Sequence, residues 1–188
     1  TKANALDYDS MDSLKNATDK PLIIINEAMQ FSAGVNLSYT MDFANKGNFK
    51  SIEKFVKYFQ ETCKHLKHSK HPVISAPSGL ALGGGFEFYA CSAHTVAAGE
   101  LYAGLVEAIQ GLIPGAGGHL RVILNLLENN NADNFNMNIG RQAIGLVNPM
   151  TVSRSATDAL KKGWLRKSDT ISMNSEHLLA LGKNKVLE

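Results

Sequence analysis

Short runs of consecutive apolar residues constrain the fold of this chain more than any other feature. One such run, Leu22–Ile25, follows Pro21 and consists mainly of β-branched isoleucine. A continuous apolar run, unlike an alternating one, is typical of a strand that is covered on both faces, as in parallel sheets. A second run occupies residues 72–76, and a shorter one occupies residues 95–98. We therefore predict three strands in a parallel sheet, the first two of them buried on both faces.

Helical patterns and glycine-rich turns separate these predicted strands. Between Ser51 and Lys70, apolar residues recur at steps of three and four, which predicts a helix with one apolar face. Strand, turn and helix in repetition indicate an α/β layer architecture. The other predicted elements are a short helix within residues 1–20, glycine turns at 79–85 and 112–118, helices over 86–92, up to 127, over 155–162 and over 176–181, and a polar loop over 128–134.

The composition restricts the class of protein. A chain of 188 residues fits one compact domain, and 44% apolar with 19% charged residues is typical of a folded core. The formal net charge of +2 argues against a strongly basic nucleic-acid binder. No apolar run approaches the roughly 20 residues of a membrane span, so we predict neither a nucleic-acid nor a membrane partner.

Cysteine usage and the first residue bear on the cellular context. Cys63 and Cys91 are too few for a disulfide scaffold, and no cysteine–histidine spacing typical of zinc occurs. We therefore predict no metal site, a packed thiol at Cys91, and a reducing, cytoplasmic compartment. Because the sequence opens with Thr1 and not with Met, we expect that a further segment preceded it.

Three glutamates stand out in residues 73–120, a stretch that contains no Lys, Arg or Asp. They are Glu87, Glu100 and Glu107. A carboxylate in apolar sequence without a basic partner must be solvated, hydrogen-bonded or protonated, because burial of an isolated charge is unfavourable and raises the pKa. Such acids are candidates for proton transfer. We assign Glu100 to the surface or to a strand end and retain the other two as candidates.

The spacing of Glu87 indicates which group could act beside it. If Gly84 opens a helix, Glu87 lies one turn along on the same face as the Gly84 amide. The first amides of a helix have no partner within the helix, and glycine lets a ligand oxygen approach the backbone closely. Two carboxyls near one site do not both ionise readily, so one can hold a proton while the other accepts one. A glycine turn is also common as a simple packing contact, and the residues alone leave both interpretations open.

Three motifs together resemble those of the crotonase (enoyl-CoA hydratase/isomerase) superfamily. They are FSAGVNL at 31–37, PVISAPSGLALGGGFE at 72–87, and LVE at 105–107 followed by GLIPGAGG at 111–118. The resemblance implies the crotonase type of α/β fold, a spiral of repeated ββα units with C-terminal helices. It also implies hydration of trans-2-enoyl-CoA to 3-hydroxyacyl-CoA in fatty-acid β-oxidation.

The resemblance implies roles for individual residues. Glu87 would help to activate water, and Glu107 would donate a proton to the α-carbon of the acyl group. The backbone amides of Val35 and Gly84 would form an oxyanion hole for the thioester carbonyl and stabilise its developing enolate-like charge. The remaining implications are water positioning by Gly115, contact of Ala33 with the adenine end of CoA, and no cofactor other than the CoA thioester that is the substrate.

The C-terminal part of the sequence narrows the resemblance. Residues 153–159 and 163–169 look like the C-terminal crotonase-type portion of bifunctional 3-hydroxyacyl-CoA dehydrogenases. This implies a dehydrogenase domain upstream, with the first strand of the family missing from the present sequence. We predict a catalytic core over residues 1–140 and a helical tail over 141–188, with Trp164 as a packing anchor. The resemblance further implies a homo-oligomer.

Alternative functions stay open at this point. The same fold could support a Δ3,Δ2-enoyl-CoA isomerase, since migration of a double bond can run on one acid, or an idle acyl-CoA-binding module that docks a dehydrogenase. The basic segment 64–71 could hold a metal through His65 and His68, an anion such as the CoA phosphates, or RNA. A cationic last turn that complements the helix dipole is the simpler interpretation of that segment. His119 is expected to be structural or to face solvent.

Overall fold

All the strands of the computed structural model, which describes residues 2–148 and 151–188, pair in parallel. The larger sheet has four strands and the smaller sheet has two. The strands are β1 (Leu22–Ile25), β2 (Val73–Ala76), β3 (Gly79–Leu82), β4 (His94–Ala98), β5 (Leu101–Gly104) and β6 (Thr170–Ser172). The order is β1-β2-β4-β6 in the larger sheet and β3-β5 in the smaller one.

Eight α-helices surround these sheets in the described ranges. Three 3₁₀ turns, at Lys2–Asn4, Glu107–Gln110 and Ser175–His177, accompany them. No helix in the described ranges is both long and apolar enough to span a membrane. The helices are α1 (Tyr8–Asn16), α2 (Leu37–Asn45), α3 (Phe49–Lys67), α4 (Gly84–Ala90), α5 (Gly118–Asn129), α6 (Met137–Val147), α7 (Ala156–Lys161) and α8 (Leu178–Leu187).

The elements repeat as ββα units. Strands β2 and β3 lead into α4, and strands β4 and β5 lead through a 3₁₀ turn into α5. Each unit adds one strand to the larger sheet and one strand to the smaller sheet. The predicted α/β architecture of the crotonase type is thereby confirmed.

The smaller sheet was not predicted from the sequence. Residues 79–82, predicted as part of a glycine turn, form strand β3, and only the residues that follow make the turn. Strand β5 was not predicted at all. Both strands consist of Gly, Ala, Leu and Tyr, of which glycine and alanine have low strand propensity. They are strands because they pair with each other in register from Gly79↔Leu101 to Leu82↔Gly104.

Two further predictions need correction, and one element was missed. Strand β1 is not buried on both faces, because it lies at the edge of the sheet and Ile25 is 36% exposed. The polar loop predicted over residues 128–134 is confirmed except for its first two residues, which end α5. Helix α6 after this loop was not predicted, and Asn136 caps its first turn by accepting from the N–H groups of Asn138 and Ile139. Residues 141–188 contain strand β6 in addition to helices. The division at residue 140 stays a prediction, although α6 runs across that position.

The C-terminal segment contributes to the main core. Trp164 is fully buried, and its ring packs edge-to-face on Phe86 of α4 with ring centroids 5.1 Å apart. The Tyr89 hydroxyl donates to the Trp164 carbonyl oxygen at 2.7 Å, which ties the same helix to the segment a second time. The predicted role of Trp164 as a packing anchor is confirmed.

The basic end of α3 and the thiols agree with the simpler interpretations. Lys64, His65 and Lys67 occupy the last turn of α3, where cations complement the helix dipole. His65 Nε2 lies 2.7 Å from the Thr18 hydroxyl. Among the residues that the structure describes, no group of three potential ligands could hold a metal ion. Both cysteines are free and buried, and His119 is exposed.

Truncation of the Trp164 side chain tests how strongly this anchor stabilises the fold. We expect Trp164→Ala to lower the free energy of unfolding by about 3–5 kcal/mol, because it leaves a large cavity against Phe86. Trp164→Phe is the matched control, since it keeps an aromatic ring and removes an indole N–H that has no acceptor in the described structure. Trp164→Phe should lose clearly less free energy of unfolding than Trp164→Ala, as measured by urea denaturation followed by circular dichroism. Equal losses in the two variants would contradict the packing account.

Candidate active site

Parallel pairing brings three chain segments to one edge of the smaller sheet. Ser32 forms a parallel bridge with Ala81 of β3, and β3 pairs with β5. The carboxyl ends of parallel neighbours lie at the same edge of a sheet. Val35, Gly84 and Glu107 each follow one of these segments within a few residues, so their positions converge. The backbone bond from Gly83 N–H to the Gly104 oxygen, at 2.8 Å, extends the pairing to the start of α4.

The backbone amides of Val35 and Gly84 lie next to each other. A Cβ atom built on Gly84 would lie 3.3 Å from the Val35 nitrogen and 2.9 Å from the Val35 Cγ2 atom, so any larger residue at 84 would close the gap. Gly84 is the first residue of α4 and has no acceptor for its N–H within the helix. In the described residues neither N–H donates to another protein group. Two backbone donors without a protein acceptor in the described residues thus lie side by side.

Glu87 points from α4 to the N-terminus of α5. Its side chain is buried, with the residue 1% exposed, and Oε1 accepts from the N–H groups of Ala116 and Gly118, each at 2.8 Å. A Cβ atom at Gly118 would lie 2.7 Å from Leu105 Cδ2 and 3.0 Å from Glu87 Oε1, so a larger residue there would displace the side chains that pack around the carboxyl. The carboxyl therefore serves as the acceptor for the first N–H of α5 and for one N–H in the loop just before that helix.

Neither of these two partner amides was predicted to bind Glu87, since the spacing of the residues placed only the Gly84 amide beside it. The sequence does carry a usable indication. The glycine turn at 112–118 opens a helix whose first amides need an acceptor, and Glu87 is an acid in an apolar stretch that needs donors. Neither observation alone says that the two groups meet.

The surroundings of Glu87 raise its pKa from an ordinary value of 4.5 to about 7. The largest cause is burial, which disfavours the ionised form, and the charge of Glu107 acts in the same direction. The hydrogen bonds from Gly118 and Ala116 oppose the rise because they stabilise the carboxylate. The group is therefore able to gain or lose a proton near neutral pH.

Glu107 begins a 3₁₀ turn directly after β5 and faces the same space. Its Oε1 lies 3.1 Å from the position that a Cβ atom of Gly83 would occupy. Its Oε2 is buried and has no hydrogen-bond partner in the described residues. Burial raises its pKa, and backbone hydrogen bonds at Glu107 and Val106 oppose part of the rise. A buried carboxyl oxygen without a donor favours the protonated form, so this acid is suited to deliver a proton.

The structure also locates Gly115, Ala33 and Glu100, which differ in exposure. The Gly115 carbonyl oxygen accepts from Gln60 Nε2 of α3 at 2.6 Å, in the same loop as Ala116. Ala33 is exposed, and its N–H donates to the Ala3 oxygen at 3.1 Å. Glu100 is exposed in the turn between β4 and β5, as expected. The predicted Glu87 and Glu107 thus lie together, whereas Glu100 is outside the site.

Known proteins share this sequence pattern. Residues 2–167 match the family model described as enoyl-CoA hydratase/isomerase. The chain is 34% identical over 185 residues to a probable 3-hydroxyacyl-CoA dehydrogenase of Bacillus subtilis, which covers 95% of this chain and 23% of that relative. It is 41% identical over 124 residues to a putative fatty acid oxidation complex trifunctional enzyme of Rickettsia felis, over 63% of this chain and 17% of the relative. The chain thus spans less than a quarter of either relative.

Solved structures share the fold. An enoyl-CoA hydratase from Bacillus anthracis superimposes with a TM-score of 0.78 and 24% identity, over 98% of this chain and 67% of the solved one. An enoyl-CoA hydratase from Bacillus halodurans gives a TM-score of 0.80 at 17% identity, over 99% of this chain and 71% of its own. Both likenesses concern the overall fold, which the chain shares over nearly its whole length.

Removal of the Glu87 charge should stabilise the protein in a pH-dependent way. Because the pKa is about 7 in the folded protein and 4.5 ordinarily, the folded state binds the additional proton between these values. Stability is then highest below about pH 4.5 and falls as pH rises to about 7, a loss of about 3 kcal/mol. Glu87→Gln should therefore be more stable than the wild type at pH 8, and the difference should shrink toward pH 5.

Urea denaturation at several pH values measures this effect. Glu100→Gln, which removes an exposed carboxylate, is the control and should change stability by less than about 0.5 kcal/mol. A Glu87→Gln protein that is less stable than the wild type at pH 8 would show that the two backbone hydrogen bonds outweigh burial.

Proposed function

The chain belongs to the enoyl-CoA hydratase/isomerase family, and from this premise we propose that it adds water to trans-2-enoyl-CoA to give 3-hydroxyacyl-CoA. The observation that carries the proposal is the pair of desolvated carboxyls, Glu87 and Glu107, beside two unpaired backbone amides. Addition of water to a conjugated thioester requires a base for the water, an acid for the α-carbon and donors for the carbonyl oxygen. The site offers each of these groups.

Glu87 is the base in this proposal. Both backbone donors bind its Oε1, which stabilises the carboxylate and leaves Oε2 to accept a proton from water. A pKa of about 7 makes the group an effective base at neutral pH, because a base is most effective when its pKa is close to the working pH. Gly115, in the loop that carries one of the donors, is assigned to positioning the same water.

Glu107 is the acid. In one step the water oxygen bonds to the β-carbon, a water proton passes to Glu87, the carbon–carbon double bond becomes single, and the Glu107 proton passes to the α-carbon. A bound acyl group would exclude more water from Glu107, whose Oε2 has no donor in the described residues, and would keep it protonated until the transfer. Return of the proton from Glu87 to Glu107 restores the site.

The amides of Val35 and Gly84 complete the proposed mechanism. Negative charge develops on the thioester oxygen as water adds, and two preorganised N–H groups stabilise that charge more than the ground-state carbonyl. Such a contribution is commonly about 3 kcal/mol per donor. Ala33, exposed near the start of this segment, is assigned to the adenine end of CoA, and no further cofactor is part of the proposal.

The names of the relatives extend the proposal to the reaction context. They are named for 3-hydroxyacyl-CoA dehydrogenation and for fatty acid oxidation. The proposed product, a 3-hydroxyacyl-CoA, is the substrate class of such a dehydrogenase, so we assign the chain to β-oxidation with a dehydrogenase domain or partner. A homo-oligomer and a cytoplasmic location belong to the same proposal.

Replacement of Glu107 tests the acid. Glu107→Gln cannot donate a proton to carbon, so we expect hydration of crotonyl-CoA to slow by about 100-fold or more. Loss of the enoyl thioester absorbance measures the rate, and Glu100→Gln serves as the control with an unchanged rate. Unchanged activity in Glu107→Gln would contradict the assignment.

If the wild type converts a 3-enoyl-CoA to its 2-enoyl isomer without water uptake and does not hydrate crotonyl-CoA, it is an isomerase. Binding without any turnover would indicate a docking module.

The pH dependence of hydration tests the base. Because Glu87 acts when ionised and its pKa is raised to about 7, kcat/KM should fall about tenfold for each pH unit below 7. The limb should be absent from the residual activity of Glu87→Gln. A limb at pH 4–5, the ordinary range of a glutamate, would show that this acid is not the base.

A further inference from the structure

We propose that Gln60 of α3 is a positioning residue for Glu87, and that it acts by holding the Gly115–Ala116 peptide so that its N–H faces the carboxylate. This inference rests on the proposed hydration by Glu87 and names a residue outside the three motifs. Gln60 is exposed, and its side-chain hydrogen bond in the described residues goes to the Gly115 carbonyl oxygen and not to either acid.

Both of the relevant hydrogen bonds belong to the same peptide unit. Gln60 Nε2 donates to the Gly115 carbonyl oxygen at 2.6 Å, and the Ala116 N–H donates to Glu87 Oε1 at 2.8 Å. The described residues contain no cis peptide, and in a planar trans peptide the C=O and N–H point in opposite directions. The hydrogen bond from Gln60 to the Gly115 oxygen therefore fixes the direction of the Ala116 N–H. Hydrogen bonds in such a chain also polarise one another and strengthen the second bond.

The Gly115–Ala116 peptide needs this hydrogen bond because the residue that contributes its carbonyl is glycine. Gly115 has no side chain to restrict its ψ angle, and a Cβ atom built there would meet only Val56 Cγ1, at 3.7 Å. Rotation of the peptide would turn the Gly115 oxygen toward Glu87. A carbonyl oxygen repels a carboxylate but accepts from a protonated carboxyl, so the rotated form favours protonated Glu87. Gln60 selects the orientation that favours the ionised base.

Helix α3 is a rigid support for this contact. Phe59, next to Gln60, is 3% exposed and stacks on Phe88, the residue after Glu87, with ring centroids 5.2 Å apart. The same packing thus fixes the helix that carries Gln60 relative to the helix that carries Glu87. The loop with Gly115 lies between them and takes its orientation from both.

Gln60→Met removes the donor while keeping the length of the side chain. Hydration of crotonyl-CoA at pH 7 should fall about two- to fivefold, with KM unchanged, because a single hydrogen bond of this kind is lost. The acid limb of the rate should move to higher pH by about half a unit to one unit, and the rate should approach that of the wild type at pH 9. A merely structural role would lower the rate equally at every pH and leave the limb in place.

Two further variants sharpen the test. Gln60→Lys keeps a donor for the Gly115 oxygen, so its acid limb should not move to higher pH. Gln142→Met makes the same chemical change on α6, away from the loop, and should leave the profile unchanged. A shift of the limb in Gln142→Met, or its absence in Gln60→Met, would overturn the role of Gln60.

A measurement without substrate separates failure of this inference from failure of the proposed function. The free energy of unfolding falls as pH rises because the pKa of Glu87 is raised in the folded protein. This fall should extend to higher pH in Gln60→Met than in the wild type. If the wild type does not hydrate crotonyl-CoA but this displacement occurs, Gln60 positions Glu87 in a site with another activity. If the wild type is active and neither the limb nor the stability curve is displaced, only the inference about Gln60 is wrong.

Discussion

The parallel pairing of β3 with its two neighbours is the constraint on which the site depends. The Ser32 bridge and strand β5 flank β3, and the chain leaves all three at one edge. Two amides and two acids can therefore lie close together in space although the motifs that carry them are far apart in the sequence. The larger sheet holds this arrangement in place, because each ββα unit contributes one strand to each sheet. The site is therefore a consequence of the repeat, and its chemistry is added by a few residues at the strand ends.

Burial of Glu87 opposes folding and, in the proposed mechanism, supports function at the same time. An ionised carboxyl in an apolar site is unfavourable, and two backbone donors compensate for only part of that penalty, as the raised pKa indicates. The surrounding core supplies the remainder. Phe86, Phe88 and Tyr89, all on the same short helix, are almost completely buried and hold the acid in place. A site that stabilised the carboxylate more strongly, with a third donor or a cation, would lower the pKa of Glu87 and make it a weaker base.

Local pattern and chemistry made part of this structure predictable from sequence. The apolar period of three and four gave α3, and the stretch without Lys, Arg or Asp identified Glu87 and Glu107. Strands β3 and β5 were not predictable in this way, since Gly and Ala residues become strands only through their partner. The amides of Ala116 and Gly118 were missed for a related reason. They follow Glu87 at a distance along the chain, and only the tertiary fold brings them to the carboxyl.

Glu87 and Glu107 illustrate how similar residues acquire different roles. Burial raises the pKa of both, so burial alone does not distinguish base from acid. Both acids also have backbone hydrogen bonds that lower their pKa, but the buried Oε2 of Glu107 has no hydrogen-bond partner in the described residues, whereas Glu87 Oε1 accepts from two N–H groups. A bound acyl group that excludes water from Glu107 would therefore add to the difference, because an oxygen without a donor loses its remaining solvation. The proposed direction of proton transfer, from water to Glu87 and from Glu107 to carbon, depends on this contrast and thus on the position of the Ala116–Gly118 backbone beside α4.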